Sequence, residues 1–243
     1  MHWWFPANAS SYGGEIDNLF VLILYITGAV FFLVEIGLLV FLVKYRKREG
    51  RKATYVDGST RAEIIWTAIP AVIVIFLGVF SQPLWSRIKD TDKFPTDAIV
   101  YDVTAKQFEW HFRYPGPDGR LDTDDDFEKR NELHLIVNRD YEMRLHAEDV
   151  IHSFWIPAFR IKQDAVPGLT IRAWFKPIRT GEFELGCAEL CGLGHYRMRT
   201  RVYVHTPEEF AAWQATQVAP PAAPDTTPAA PPAAPTSRRR TAR

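Results

Sequence analysis

The run of apolar and polar positions divides the chain into two long apolar stretches, a finely alternating region and a polar end. Positions 19–43 and 64–85 are almost continuously apolar. Each exceeds or matches the roughly 20 residues a helix needs to cross a bilayer core. Glu35 is the charge within the first run, and the second carries none before Arg87. A buried helix of a soluble protein can be equally apolar, but two such runs joined by a basic loop predict a transmembrane hairpin. Pro70 should kink or loosen the second helix, which a helix in a bundle tolerates. Trp66 and Trp85 stand near its ends, where indoles favour the membrane interface.

From about residue 97 the pattern shortens to a period of two, as in Phe183 and Leu185 or Val202 and Val204. Predicted strands cover 99–114, 133–137, 141–147, 152–156, 170–176, 181–186 and 198–205. Turn signals separate them, including Pro115-Gly116, Asp118-Gly119, Pro167-Gly168 and Thr180-Gly181. About seven short strands at this spacing predict a β-sandwich. A helix should close it. Thr206 and Glu209 form a capping box around Pro207, and Phe210 and Trp213 would pack back on the sheets. Beyond Gln217 the chain is rich in Ala, Pro and Thr and ends in arginines, a composition that predicts disorder. The expected organisation is an α+β membrane protein. Residues 1–94 carry the helix hairpin, 95–214 an all-β domain and 215–243 a tail.

Charge then orients these parts. The 29 basic and 29 acidic residues cancel, so bulk charge gives no sign of nucleic acid binding. No Lys or Arg precedes residue 44, whereas the loop 44–62 holds Lys44, Arg46, Lys47, Arg48, Arg51, Lys52 and Arg61. The positive-inside rule places that loop in the cytoplasm. The N-terminus and the β domain then face outward, which in a bacterium means the periplasmic side of the inner membrane. Residues 1–18 lack the pattern of a cleaved signal peptide, and the first span can act as a signal anchor.

Candidate chemistry concentrates in the stretch Cys187-Ala-Glu-Leu-Cys191-Gly-Leu-Gly-His195-Tyr-Arg-Met198. In an oxidising compartment Cys187 and Cys191 could form a disulfide. With no C-x-x-C-H present, the chain attaches no haem covalently. Thiolates with imidazole select copper or zinc, and a thioether is a poor ligand for zinc. A second imidazole must come from elsewhere, and His152, at the start of a strand on the edge of the sandwich, is the best candidate. Two thiolates, two imidazoles, a thioether and a carbonyl would satisfy two copper ions that share both sulfurs.

The segment Cys187–Met198 resembles the dinuclear copper-A motif of the cytochrome c oxidase subunit II family. Further matches follow in Glu63-Ile-Ile-Trp66-Thr-Ala-Ile-Pro70, Asp149-Val-Ile-His152-Ser and Lys162-Gln-Asp164-Ala-Val-Pro167-Gly168. The resemblance covers residues 15–213. It implies a cupredoxin-like sandwich in which His152, Cys187, Cys191, His195 and Met198 bind two coppers through side chains and Glu189 through its carbonyl. It also implies that the Glu189 carboxylate reaches a magnesium ion shared with subunit I, and that Glu63 lies near a proton channel of a proton-pumping enzyme. Haem and a further copper belong to subunit I, with subunit III a further partner. Glu148, Asp149 and Asp164 form a candidate docking rim for cytochrome c or a similar donor. One departure concerns electron uptake. The family often reads Gln-Trp-x-Trp where this chain has Gln107-Phe108-Glu109-Trp110, so Phe108 and Trp110 are the candidate contacts. The acidic stretch 118–128, with Asp122, Asp124, Asp125 and Asp126, is expected to be an exposed hairpin that could meet a donor. Two other readings stay open. One is a membrane-anchored periplasmic binding module with a structural disulfide. The other is an electron carrier for a partner such as a nitrous oxide reductase-like system.

Overall fold

The computed structural model describes residues 5–217. Two long helices lead the chain, α1 (Gly13–Lys44) and α2 (Thr60–Lys89). Both overrun the apolar stretches that predict them. Their most apolar windows are not buried anywhere in the molecule, so the hydrophobic surface of the pair is free for lipid or for other chains. α2 starts where the Ser59 hydroxyl accepts a hydrogen bond from the Ala62 amide. It continues through Pro70 and Pro83 as one helix without a break. The basic connection between the helices is exposed throughout.

Ten strands follow among the described residues: β1 (Ile99–Lys106), β2 (Glu109–Tyr114), β3 (Phe127–Arg130), β4 (Glu132–Ile136), β5 (Tyr141–Ala147), β6 (His152–Ile156), β7 (Ile161–Ala165), β8 (Ile171–Phe175), β9 (Gly181–Cys187) and β10 (Arg199–His205). They form two five-stranded sheets. One has the order β3-β2-β1-β5-β8 and the other β4-β10-β9-β6-β7. Pairing is antiparallel except for β1 with β5 and β10 with β4. The sequence pattern predicts one strand over 99–114, but the chain turns at Gln107-Phe108 and pairs Lys106 with Glu109. Their peptide bond is cis. The acidic stretch is the connection between β2 and β3, as expected. Arg113 takes up part of its charge, pairing with Asp122 and Asp126.

The core lies between the sheets and is rich in aromatic rings. Tyr101, Tyr114 and Tyr141 meet at ring distances of 4.6 and 5.2 Å. A buried phenol needs a partner for its hydroxyl. Tyr101 donates to the His134 carbonyl and Tyr114 to the Glu132 carbonyl, while the Ile136 amide donates to Tyr141. These bonds tie the first sheet to β4 of the second. The closing helix α3 (Pro207–Gln217) is capped as its sequence predicts. The Glu209 amide donates to the Thr206 hydroxyl, and the Thr206 amide donates back to the Glu209 carboxylate. Trp213 stacks on His134 with ring centroids 3.9 Å apart.

The membrane hairpin is bound to the sandwich. Ahead of α1, the Ala9 amide donates to the Ala158 carbonyl and the Ser10 hydroxyl to the Phe159 carbonyl. Asp17 pairs with Arg160 at 2.7 Å, and Trp174 Nε1 donates to the Arg87 carbonyl.

Candidate metal centre

The candidate ligands occupy one end of the second sheet. His152 opens β6 and Cys187 closes β9, two strands that are direct neighbours. β6 is therefore an inner strand, and β7 forms the edge. His152 thus begins a strand at the margin of the sandwich, where the loop after β9 meets it, as expected. The loop from Ala188 to Met198 leaves β9 and returns as β10. Its ends are fixed by main-chain bonds, from the Cys187 amide to the Met198 carbonyl and from the Ala188 amide to the Ser153 carbonyl. A short turn at His195–Arg197 brings the Met198 amide to the His195 carbonyl.

Within this frame six donor groups converge. Cys187 Sγ lies 3.8 Å from Cys191 Sγ, 3.9 Å from His152 Nδ1 and 3.1 Å from the Glu189 carbonyl oxygen. Cys191 Sγ lies 3.5 Å from His195 Nδ1 and 3.8 Å from Met198 Sδ. The sulfurs are nearly twice the length of a disulfide apart, and both cysteines are free. Donor atoms of His152, Cys187 and Cys191 all fall within 4.8 Å of one another. Cys191, Met198 and His152 are buried, while Glu189 exposes its side chain and turns its carbonyl inward.

Electrostatics at the site favours a cation. Burial works against a Cys187 thiolate, but hydrogen bonding with His152 and with backbone groups outweighs it and the thiol is held low. Cys191 is pushed up, first by burial and then by the negative charge of Cys187. Two sulfurs this close cannot both be anionic without positive charge between them. A soft metal ion would supply that charge, and the donor set of two thiolates, two imidazoles, a thioether and a carbonyl suits copper.

Asp149 fixes the orientation of His152. Its Oδ1 accepts from His152 Nε2 at 2.8 Å and from the Val150 amide at 2.7 Å. Its Oδ2 accepts from the Gln107 amide at 2.8 Å. With Nε2 so engaged as a donor, Nδ1 keeps a lone pair aimed at the sulfurs. Burial lowers the His152 pKa, yet the contacts with Cys187 and Asp149 prevail and the net shift is upward.

The remaining predicted residues are distributed unevenly. Phe108 is half-buried in the β1–β2 turn, against Gly192 and Gly194 of the ligand loop. Trp110 is fully buried and meets His152 edge-on, with ring centroids 6.3 Å apart. That position corrects its expected role: it offers no surface to a docking partner. Asp164 accepts from Ser153 and Lys162, so Asp149 and Asp164 are engaged in internal bonds, and Glu148 is the freest of the proposed rim. Glu63 stands exposed in the first turn of α2, at the far end of a helix of roughly 45 Å from the sandwich. Sequence reasoning missed Gln107, whose Nε2 donates to the Cys191 carbonyl at 2.6 Å. Its neighbour Phe108 marked the place, but a side-chain amide carries no spacing signal of its own.

A β-sandwich tied to a membrane-capable helix pair and presenting a sulfur–imidazole cluster defines the class: a membrane-anchored, cupredoxin-like domain with a soft-metal site. Residues 1–84 match the transmembrane domain of cytochrome c oxidase subunit II, and residues 103–204 match its periplasmic domain. The chain is 34% identical to cytochrome c oxidase subunit 2 of Thermostichus vulcanus, covering 92% of this chain and 81% of that one. It is 31% identical to an alternative cytochrome c oxidase subunit 2 of Bradyrhizobium diazoefficiens, over 88% of this chain and 84% of the relative. The periplasmic domain of subunit II of cytochrome oxidase from Bradyrhizobium japonicum is 33% identical, with a TM-score of 0.45 over 51% of this chain and 95% of that domain. The chain belongs to the cytochrome c oxidase subunit II family.

Proposed function

We propose that this chain is the electron-accepting subunit of a proton-pumping haem-copper oxidase. It takes electrons from cytochrome c or a similar donor at a dinuclear copper centre and passes them to a haem of subunit I, where oxygen is reduced. The observation that carries this reading is the convergence of six donor groups, two of them unbonded sulfurs. His152, Cys187, Cys191, His195 and Met198 hold the metals by their side chains and Glu189 by its carbonyl. When bound, the copper pair supplies a one-electron carrier whose charge spreads over both ions. The chain holds the ligands in place before and after transfer. Asp149 keeps the His152 ring fixed, and the neighbouring strands fix His152 and Cys187 relative to each other, so little needs to move.

The donor docks over the ligand loop. Leu193 is 97% exposed and Leu190 79% exposed there, an apolar surface on a loop anchored at both ends. Phe108, half-buried beside Gly192 and Gly194 of this loop, serves as the aromatic contact, with Glu148 contributing attraction for a basic partner. The Glu189 carboxylate, free of the sulfur cluster, is available for a magnesium ion at the contact with subunit I. Glu63 serves proton uptake at the cytoplasmic end of α2, and subunit III completes the assembly. The helix pair sits in the bacterial inner membrane with the sandwich in the periplasm.

Metal analysis of the full chain tests this reading. The purified protein, loaded with copper, should hold two ions and show the intense visible absorption of copper–thiolate bonding. A colourless protein whose two sulfurs are joined as a disulfide would instead favour a binding module and overturn the proposal.

A further inference from the structure

The ligand groups come from separate places on the second sheet, His152 from β6 and Cys191 from the loop after β9. A turn of the opposite sheet reaches both, Cys191 directly and His152 through Asp149. Gln107 Nε2 donates to the Cys191 carbonyl at 2.6 Å. The Gln107 main-chain amide donates to Asp149 Oδ2 at 2.8 Å, and Asp149 Oδ1 holds His152 Nε2 at 2.8 Å. One residue thus reaches the loop ligands with its side chain and the strand ligand through its backbone.

The glycines of the loop make this approach possible. A Cβ on Gly194 would stand 2.4 Å from Phe108 Cδ2, and one on Gly192 would stand 2.8 Å from Gln107 Nε2. Side chains at either position would lift the loop off the turn. Gly192 also has φ +130°, a conformation that glycine adopts without penalty. The spacing C-x₃-C-G-x-G-H therefore encodes a seat for the turn as well as a set of ligands.

We propose that Gln107 is a positioning residue for the metal centre, a brace that fixes the Cys191–His195 loop relative to His152. The proposal rests on the copper reading above. Residues that hold ligands without touching the metal commonly change metal retention about 10-fold or more when removed. The brace acts through donation to a main-chain carbonyl, so shape alone cannot replace it. In Gln107→Glu a carboxylate of the same size faces that carbonyl and has no proton to give. In Gln107→Met the length is kept and the donor is lost.

The experiment uses the full chain in detergent, copper-loaded, as wild type and as each variant. The readouts are copper content, visible and electron paramagnetic resonance spectra, reduction potential and the rate of copper loss to a chelator. Melting of the metal-free protein serves as control. Gln107 is exposed at a turn, so the metal-free variants should melt with the wild type. Both loaded variants should show shifted copper spectra and lose copper about 10-fold faster. Wild-type spectra, potential and copper loss in both variants would overturn the brace while leaving the copper centre standing. Failure of the wild-type chain to take up copper would instead remove the centre itself. If one variant does not fold, the other decides.

Discussion

Two pairs of histidines lie in the same sandwich and have opposite characters. His152 and His195 turn Nδ1 toward sulfur. His134 and His205 turn toward each other, with His134 Nδ1 and His205 Nε2 2.9 Å apart, and their rings stack with Tyr203 and Trp213. In the first pair an imidazole is held by a carboxylate and offers its other nitrogen to a shared space. In the second, one nitrogen of each ring is spent on the other ring, and His134 Nε2 is buried without a hydrogen-bond partner. Histidine pairs alone are thus poor guides to metal. Convergence of free donor atoms is the telling feature, and the first pair alone has it among these two.

The sharpest break of this contrast is Cys191→Ser. Removing the sulfur that faces His195 and Met198 should abolish the dinuclear site and with it electron uptake. Two coppers bound with full oxidase turnover would refute the role assigned to the sulfur pair.

The second pair should reveal itself in acid. His134 is pushed down to about 3, first by burial, then by His205 and Lys129. Glu132 and Glu209 lie on the flanking elements and act in the opposite sense on the pair. A histidine depressed in the folded state binds its proton more readily when unfolded. Its contribution is full above about pH 6.5 and declines as pH falls toward 3. Within that window stability should drop by at most about 1.4 kcal/mol per pH unit. Denaturant unfolding of wild type and His134→Gln at pH 7 and pH 4.5 measures this. An equal acid loss in both would place the effect elsewhere.

A smaller effect belongs to Phe108→Ala. The ring lies against Gly192 and Gly194 of the loop, beside the proposed ligands. Donor oxidation should slow several-fold with copper content unchanged. An unaltered rate would place electron uptake at another part of the rim, such as Leu190 or Leu193.

Much of this architecture was legible before any coordinates. Long apolar runs announce spans because lipid leaves a helix no alternative. The Thr206–Glu209 cap and the packing of Trp213 follow from local chemistry, and the ligand stretch is dense enough to be read from spacing. The misses share physical causes. β3 (Phe-Glu-Lys-Arg) and β7 (Ile-Lys-Gln-Asp-Ala) escaped because both are edge strands, and edges carry charge in place of clean alternation. The turn at Gln107-Phe108 escaped because it contains no Gly, Pro or Asn; its trace is a slip in the alternation, with Tyr101, Val103 and Ala105 inward before it and Trp110, Phe112 and Tyr114 after it. Docking of the segment before α1 left no periodic trace, since it is held by main-chain bonds. The predicted tail lies almost wholly outside the described residues, apart from 215–217, which extend α3.

That docked segment has a topological consequence. Ser10 reaches Phe159 across 149 positions of sequence, and Ser10 also bridges to Pro177. The flank ahead of the first span and the far sheet must therefore share one compartment, which only an even number of crossings permits. It also sets an order of events during biogenesis. The N-terminal flank waits, unpaired, until most of the sandwich has been made. A bulky fusion placed there would obstruct the last stitch of a domain whose proposed metal ligands begin more than half the chain away.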